Sequence, residues 1–190
     1  MQDFRLILAS ASPRRSDILK RAGFEFEVIP SLCEEKLSDS SFSYEKIENL
    51  ACQKAKNVSD NHPELIDAKI LGADTVVVLD NKILGKPKDK EDAFSMLKSL
   101  SGKTHFVVTS ICIIDLKTDN KQIKSTTSYV TFNELNDEQI LSYIENFKPF
   151  DKAGAYGIQE LPSDFVKDIQ GSYENIVGLS SETVKNMLYL

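Results

Sequence analysis

One stretch constrains the fold more than any other: KILGADTVVVLD, residues 69–80. Ile70, Leu71, Val76, Val77 and Val78 put apolar side chains on both faces of an extended segment. A strand of that kind belongs in the middle of a sheet, covered on both sides. Asp74 stands inside it. Burying an ionised carboxylate without a partner costs several kcal/mol. Asp74 therefore has to be paired, protonated, metal-bound or placed at an open end of the strand. A structural ion pair is the plain alternative to a functional site. Gly72-Ala73, just before it, leaves room for a ligand or for another backbone.

Around that strand, helical and extended patterns alternate. RLILA (5–9) reads as a short buried strand. Ser12 is placed to cap a helix whose first position suits Pro13, and Gly23 fits the position just past its end. FEFEVIP (24–30) alternates apolar and acidic residues as a half-exposed strand does. A second helix is predicted over 43–59, with Ile47, Leu50, Ala51, Ala55 and Val58 as its apolar stripe. Asp80-Asn81 then turns the chain toward KILGKP. A third helix covers 90–100, and 105–115 with 125–132 reads as a hairpin. Asn136 and Gln139 have capping-box spacing, with Leu135 and Ile140 as a hydrophobic staple. DKAGAYGIQ (151–159) interrupts regular structure, before a strand near 165–170 and a last helix from Ser181. This alternation gives an α/β class with a mixed sheet. No repeat or linker divides the 190 residues, so one domain over 1–190 is expected.

Composition narrows the partners. A formal net charge of −6 argues against a broad nucleic-acid surface but leaves room for a local basic pocket. No stretch approaches the roughly 20 apolar residues of a membrane span. The opening FRLILASAS imitates a cleavage site, but its apolar run is too short for a signal peptide. A cytoplasmic location is expected, with no nucleic-acid or membrane partner. Cys33, Cys52 and Cys112 are scattered and form no CxxC pair, which argues against a disulfide framework or a zinc site. His62 and His105 are too few for a histidine metal cluster.

Several charged residues need explaining. Arg14 and Arg15 fall in the first turn of a helix, where cations are disfavoured by roughly 0.3–1 kcal/mol each. An anion there would reverse the sign, and Ser10 and Ser12 would join the two guanidinium groups in a phosphate cradle. The alternative is solvation or pairing with nearby acids. Lys54 lies seven residues after Ile47, which puts it on the apolar stripe. It either snorkels to water or points into a polar cleft. Glu34 and Glu35 are ordinary loop acids unless they face a phosphate site, where one could help Asp74 hold a divalent metal. If the segments around Asp80-Asn81 pair as a hairpin, Lys86 returns toward Asp74; otherwise it is a solvated loop lysine. No Walker A loop or GxGxxG is present, GAYG is a bare GxxG, and no nucleophile elbow supports a serine hydrolase.

Taken in order, LILASASPRRSDILKRAGFEFEVIPS, LACQKAK, GADTVVVLD, ILGKPKDKEDAFSMLKSLSGKTH and DKAGAYGIQ resemble the Maf family of nucleotide pyrophosphatases over almost the whole chain. The resemblance implies an elongated, twisted mixed sheet flanked by helices. Two lobes would enclose a cleft, as in inosine-triphosphate pyrophosphatases. It implies cleavage of a nucleoside triphosphate between the α and β phosphates, with a divalent cation, Mg2+ or Mn2+. Asp74 of GADT takes the catalytic position, and Glu35 is the better match for the acidic loop position. Asp74 and Glu35 are the implied metal ligands. Ser10, Ser12, Arg14, Arg15, Lys54 and Lys86 fall on the phosphate-binding segments. DKAGAYGIQ resembles the branch acting on dTTP and UTP, where specificity goes with Arg14, Thr75 and Gln159. Glu160 stands where a glycine is usual, and GLSS (178–181) where GLPL is usual; neither departure is expected to touch the charged cluster. A homodimer is compatible with the resemblance. A nucleotide-binding regulator of cell division or septum formation with little turnover is the alternative, and a nucleic-acid-binding protein is a further one.

Overall fold

A computed structural model describes residues 2–33 and 39–189. Strands β1 (Arg5–Leu8), β2 (Glu27–Val28), β3 (Ala68–Leu79), β4 (Lys82–Leu84), β5 (Thr104–Asp115), β6 (Asn120–Phe132) and β7 (Val166–Gln170) form one sheet. Its order is β2-β1-β3-β5-β6-β7, with β4 also paired to β3. β1 runs parallel to β2 and β3, and the other pairs are antiparallel, so the sheet is mixed as expected. Helices α1 (Pro13–Arg21), α2 (Tyr44–Asn61), α3 (Lys90–Leu100), α4 (Asp137–Phe147), α5 (Tyr173–Val177) and α6 (Ser181–Tyr189) flank it. No described helix is long and apolar enough to cross a membrane.

β3 is central, and its side chains alternate between two buried layers. Leu71, Ala73, Val77 and Leu79 enter the larger core, shared with α1, α3, α4 and α6. Ile70, Val76 and Val78 face the opposite way and pack in the clusters that include Ala51, Ala55 and Ile47 of α2. Gly72 faces α2 as well. A Cβ there would lie 2.2 Å from the Ala51 carbonyl oxygen and 2.7 Å from the Ala55 nitrogen. The helix backbone thus rests directly on the strand, an approach only glycine permits.

Local signals account for most element ends. Ser43 caps α2 by accepting from the Lys46 amide, and Asn136 with Gln139 forms a reciprocal capping box at α4. Asp80 and Asn81 both have positive φ (49° and 62°), which suits the tight turn that folds β4 back on β3. Ser12 does occupy the cap position of α1, but its hydroxyl makes no capping bond. Its amide instead donates to Ser10 Oγ at 3.2 Å.

Three elements differ from expectation. FEFEVIP gives only Glu27–Val28 as strand, because Phe24 is drawn into the larger core and Phe26 packs against it. β6 starts at Asn120, since the polar residues 120–124, which read as a turn, pair with the end of β5. α5 was not anticipated; Ser172 caps it by accepting from the Asn175 amide.

The sheet has an interruption at its centre. β1 accompanies β3 only as far as Leu71, where the Ala9 amide donates to the Leu71 carbonyl at 2.8 Å. β4 begins pairing on the same edge at Val77. Residues 72–76 of β3 lie between them with no named strand on that side, while β5 pairs along the other edge from Lys69 to Val78. Asp74 and Thr75 stand in this notch.

Candidate active site

Alternation along β3 sends Asp74 and Thr75 to opposite faces of the sheet. Asp74 points to the α2 side. There its Oδ1 lies 2.5 Å from Lys54 Nζ, and the two side chains are 8% and 9% exposed. Lys54 reaches this point because Gly72 seats α2 against the strand one turn away. Of the alternatives open in the sequence, pairing is realised for Asp74 and the inward direction for Lys54. Each charge offsets the desolvation of the other.

Thr75 opens on the other face and meets the start of α1. Arg15 is buried there and spans three elements. Its Nε donates to the Gly178 carbonyl (3.0 Å), Nη1 to Ser10 Oγ (3.0 Å) and Nη2 to Thr75 Oγ1 (3.1 Å). Thr75 Oγ1 is also 2.9 Å from Thr109 Oγ1. No acid sits in the first turn of α1, so its positive end is not offset from within the helix. Arg14 is more exposed and lies 3.4 Å from Asp151 Oδ2.

The Gly-rich segment closes the far wall through a 3-10 turn at Ala153–Ala155. Gly154, at φ 66°, would place a Cβ 2.9 Å from Val77, so this turn rests on β3. Its amide donates to the Gly85 carbonyl, next to Lys86. The two segments do pair as a hairpin, and Lys86 and Asp74 line the same cavity.

All sequence-predicted site residues in the described segments line one cavity of about 430 Å3. Ser10, Ser12, Arg14 and Arg15 come from the β1–α1 corner, Lys54 from α2, Asp74 and Thr75 from β3, Lys86 from beyond β4, and Gln159 from the far wall. Glu35, with Glu34, lies outside the described residues.

The sequence reading missed other members of this wall. Lys152 is buried, with Nζ 2.8 Å from Asp151 Oδ1 and 3.2 Å from Glu160 Oε2. Its stem crosses Gly157, where a Cβ would lie 2.9 Å from Lys152 Cε. The signal was a lysine among small residues, the same kind of oddity as Lys54 on its stripe. Behind Tyr156, which lines the cavity, His105 Nε2 lies 2.7 Å from the tyrosine oxygen. Burial pushes the His105 pKa down to about 4 and raises that of Tyr156.

One of the two departures from the family pattern reaches the cavity, contrary to expectation: Glu160 lines it and pairs with Lys152. The departing serines of GLSS, Ser180 and Ser181, bond Thr183 and Glu174 instead, while Gly178, which the family pattern shares, accepts from Arg15. The reason is tertiary: both segments fold onto the notch although neither carries an obvious site residue. Among the described residues the lining holds five cations (Arg14, Arg15, Lys54, Lys86, Lys152) and three acids (Asp74, Asp151, Glu160). A net positive cleft in a chain of net charge −6 favours a polyanionic ligand.

Comparisons with known proteins agree with this geometry. The family described as Maf-like protein matches residues 5–190. The chain is 49% identical over 184 residues to a dTTP/UTP pyrophosphatase of Ruminiclostridium cellulolyticum, covering 96% of this chain and 94% of that one. It is 45% identical over 185 residues to a dTTP/UTP pyrophosphatase of Clostridium botulinum, covering 97% of each. A nucleoside-triphosphatase / dITP/XTP pyrophosphatase of Mycobacterium abscessus overlays with a TM-score of 0.48 at 13% identity, over 68% of this chain and 74% of that one, and nothing rests on that overlay. With the family match running through the strands and corners that build the cavity, the chain belongs to the Maf-like protein family.

Proposed function

We propose that this protein hydrolyses dTTP and UTP to the nucleoside monophosphate and pyrophosphate, acting on free nucleotides in the cytoplasm. The observation that carries this reading is the Lys54–Asp74 pair, held in the interruption of the sheet and opening into a cation-lined cavity. The dTTP/UTP pyrophosphatases among its relatives supply the substrate class.

In this reading the triphosphate enters with about four negative charges, and Arg14, Lys54 and Lys86 offset them and the charge that develops on departing pyrophosphate. Arg15 acts from beneath, holding Ser10 and Thr75 in place while presenting its positive charge to the cavity. Asp74 accepts the proton of the water that attacks the α phosphorus. Lys54 pairs with that carboxylate and fixes its direction. Gln159 and Thr75, which also line the cavity, read the nucleoside in this proposal.

A divalent cation fits these residues in one particular way. Among the described residues there is no group of three or more His, Cys, Asp or Glu side chains that forms a protein cage. A buried carboxylate facing a cavity suits a hard cation that takes one or two carboxylates, water and substrate phosphates, as Mg2+ does. Asp74 and Glu35 are the residues that would hold it, and it would neutralise phosphate charge.

The test is Asp74→Asn, which keeps shape and removes charge. Pyrophosphate release from UTP is expected to fall by about 10²–10⁴-fold, with the circular dichroism of the folded protein unchanged. A folded variant that turns over UTP at a near-normal rate would overturn the assignment of Asp74. A wild-type preference for purine triphosphates over both dTTP and UTP would overturn the substrate class.

A further inference from the structure

The three cysteines are free thiols, and the fold brings two of them together in a way their spacing does not suggest. Cys112 on β5 is the register partner of Gly72 on β3, so its side chain shares the α2 face of the sheet. Gly72 is also the point where α2 rests its backbone on the strand, through the Ala51 carbonyl. Cys52 is the next residue of that helix. Elements packed through ordinary side chains stand about 8–10 Å apart, too far for the Cα separation of roughly 4.4–6.8 Å that a disulfide needs. Contact through a glycine removes that obstacle. Cys52 packs on the apolar cluster that contains Cys112.

We propose that Cys52 and Cys112 are a reversible dithiol modification site that reacts with low-molecular-weight disulfides and thereby restrains Lys54. The two thiols are not equivalent. Cys112 is buried, whereas Cys52 is half-buried and reachable from solvent. The neighbouring Cys112 thiol lowers the pKa of Cys52, while Cys52 and burial raise that of Cys112. Cys52 therefore attacks first. Its thiolate displaces one thiolate from the reagent and leaves a mixed disulfide on Cys52. Cys112 then loses its proton, attacks the Cys52 sulfur and expels the second reagent thiolate. The protein loses two protons and two electrons, and one small disulfide becomes two small thiols.

The consequence for the cavity follows from the helix. Bonded sulfurs lie closer than two free thiols in contact, so Cys52 and Cys112 must draw together. Ala51 and Ala55 already touch Gly72, so α2 cannot simply sink toward the sheet. The helix shifts along or about its axis, and Lys54, two residues on, shifts with it relative to Asp74. Misplacement on the order of 1 Å in a reacting site costs up to about 10²-fold in rate.

The experiment exposes the full chain to oxidised glutathione, then reads intact mass, peptide map and UTP turnover. The expected result is loss of two hydrogens, a crosslink between the peptides holding Cys52 and Cys112, and a fall in turnover of about tenfold that dithiothreitol reverses. Cys52→Ser is expected to keep its turnover under the same treatment. This control matters because Cys33 lines the cavity and is a separate thiol. Three results would overturn the proposal: a glutathione adduct on Cys52 that Cys112 never displaces, a crosslink that leaves turnover unchanged, or equal inactivation of Cys52→Ser. The turnover readout rests on the pyrophosphatase reading, whereas the mass readout does not. A reduced wild-type protein with no triphosphate turnover would sink that reading, while the peptide map would still decide the thiol pair.

Discussion

Replacing Lys54 by methionine removes the ammonium from beside Asp74 and leaves the carboxylate in a site with little water. Breaking a buried pair from one side costs about 3 kcal/mol. Lys54→Met is therefore expected to lose about that much stability in urea, along with UTP turnover. Adding Asp74→Asn should recover part of the stability and none of the activity. Additive losses in the double variant would count against a coupled pair. His105 supports a second prediction at this scale. Its pKa falls from 6.5 in the unfolded chain to about 4 in the folded one, through burial. The unfolded state thus binds the extra proton first as pH drops. The stability contributed by neutral His105 is complete above pH 6.5 and is lost as pH falls from there toward 4, by about 3 kcal/mol in all. Urea denaturation at intervals from pH 7 to 5 should show this slope, and His105→Asn should flatten it. Asp74 and Lys54 were legible in the sequence because a charge in an apolar pattern has to be explained. Lys152 carried the same signal, but a Gly-rich segment has no periodicity against which a charge looks out of place.

At the scale of elements, the position of α2 decides whether Lys54 can reach Asp74, and Gly72 sets that position. Gly72→Ala puts a methyl group where the Ala51 carbonyl now sits. It is expected to destabilise the fold by about 3 kcal/mol, at the upper end of overpacking effects, and to lower kcat as the helix lifts. Thermal unfolding and single-turnover rates would test both parts; an unchanged melting point would show that α2 has room to move. Periodicity made most elements readable: the stripe of α2, the double-faced run of β3 and the capping box of α4 each follow a local rule. β2 and α5 did not. Phe24 is claimed by the larger core, which shortens β2, and α5 is a short segment with too few turns to show a helical period. Sequence likewise gave no sign that GLSS and Glu160 would fold onto the site, because that depends on contacts from residues far along the chain.

The whole molecule joins net negative charge to a positive cleft, and the cleft gathers side chains from the β1–α1 corner, α2, β3 and the Gly-rich segment. A bound triphosphate should therefore tie both faces of the sheet together. A non-hydrolysable UTP analogue at one hundred times its Kd is expected to stabilise the protein by about 2.7 kcal/mol. Raising ionic strength from about 0.1 M to about 1 M shortens the screening length from about 10 Å to about 3 Å and should weaken that effect. Calorimetry with and without salt would check this, and a melting point indifferent to the analogue would argue against a triphosphate site.

The interruption along β3 has one further consequence. An unpaired stretch of apolar strand is a template on which foreign chains can add, and proteins guard such edges with charge or by keeping them short. Here β1 and β4 bound the gap at Leu71 and Val77, and Lys54 and Asp74 place two opposite charges inside it. The same residues that would receive a nucleotide therefore also keep the gap from receiving a strand. Variants that strip both charges should be judged for self-association as well as for lost turnover.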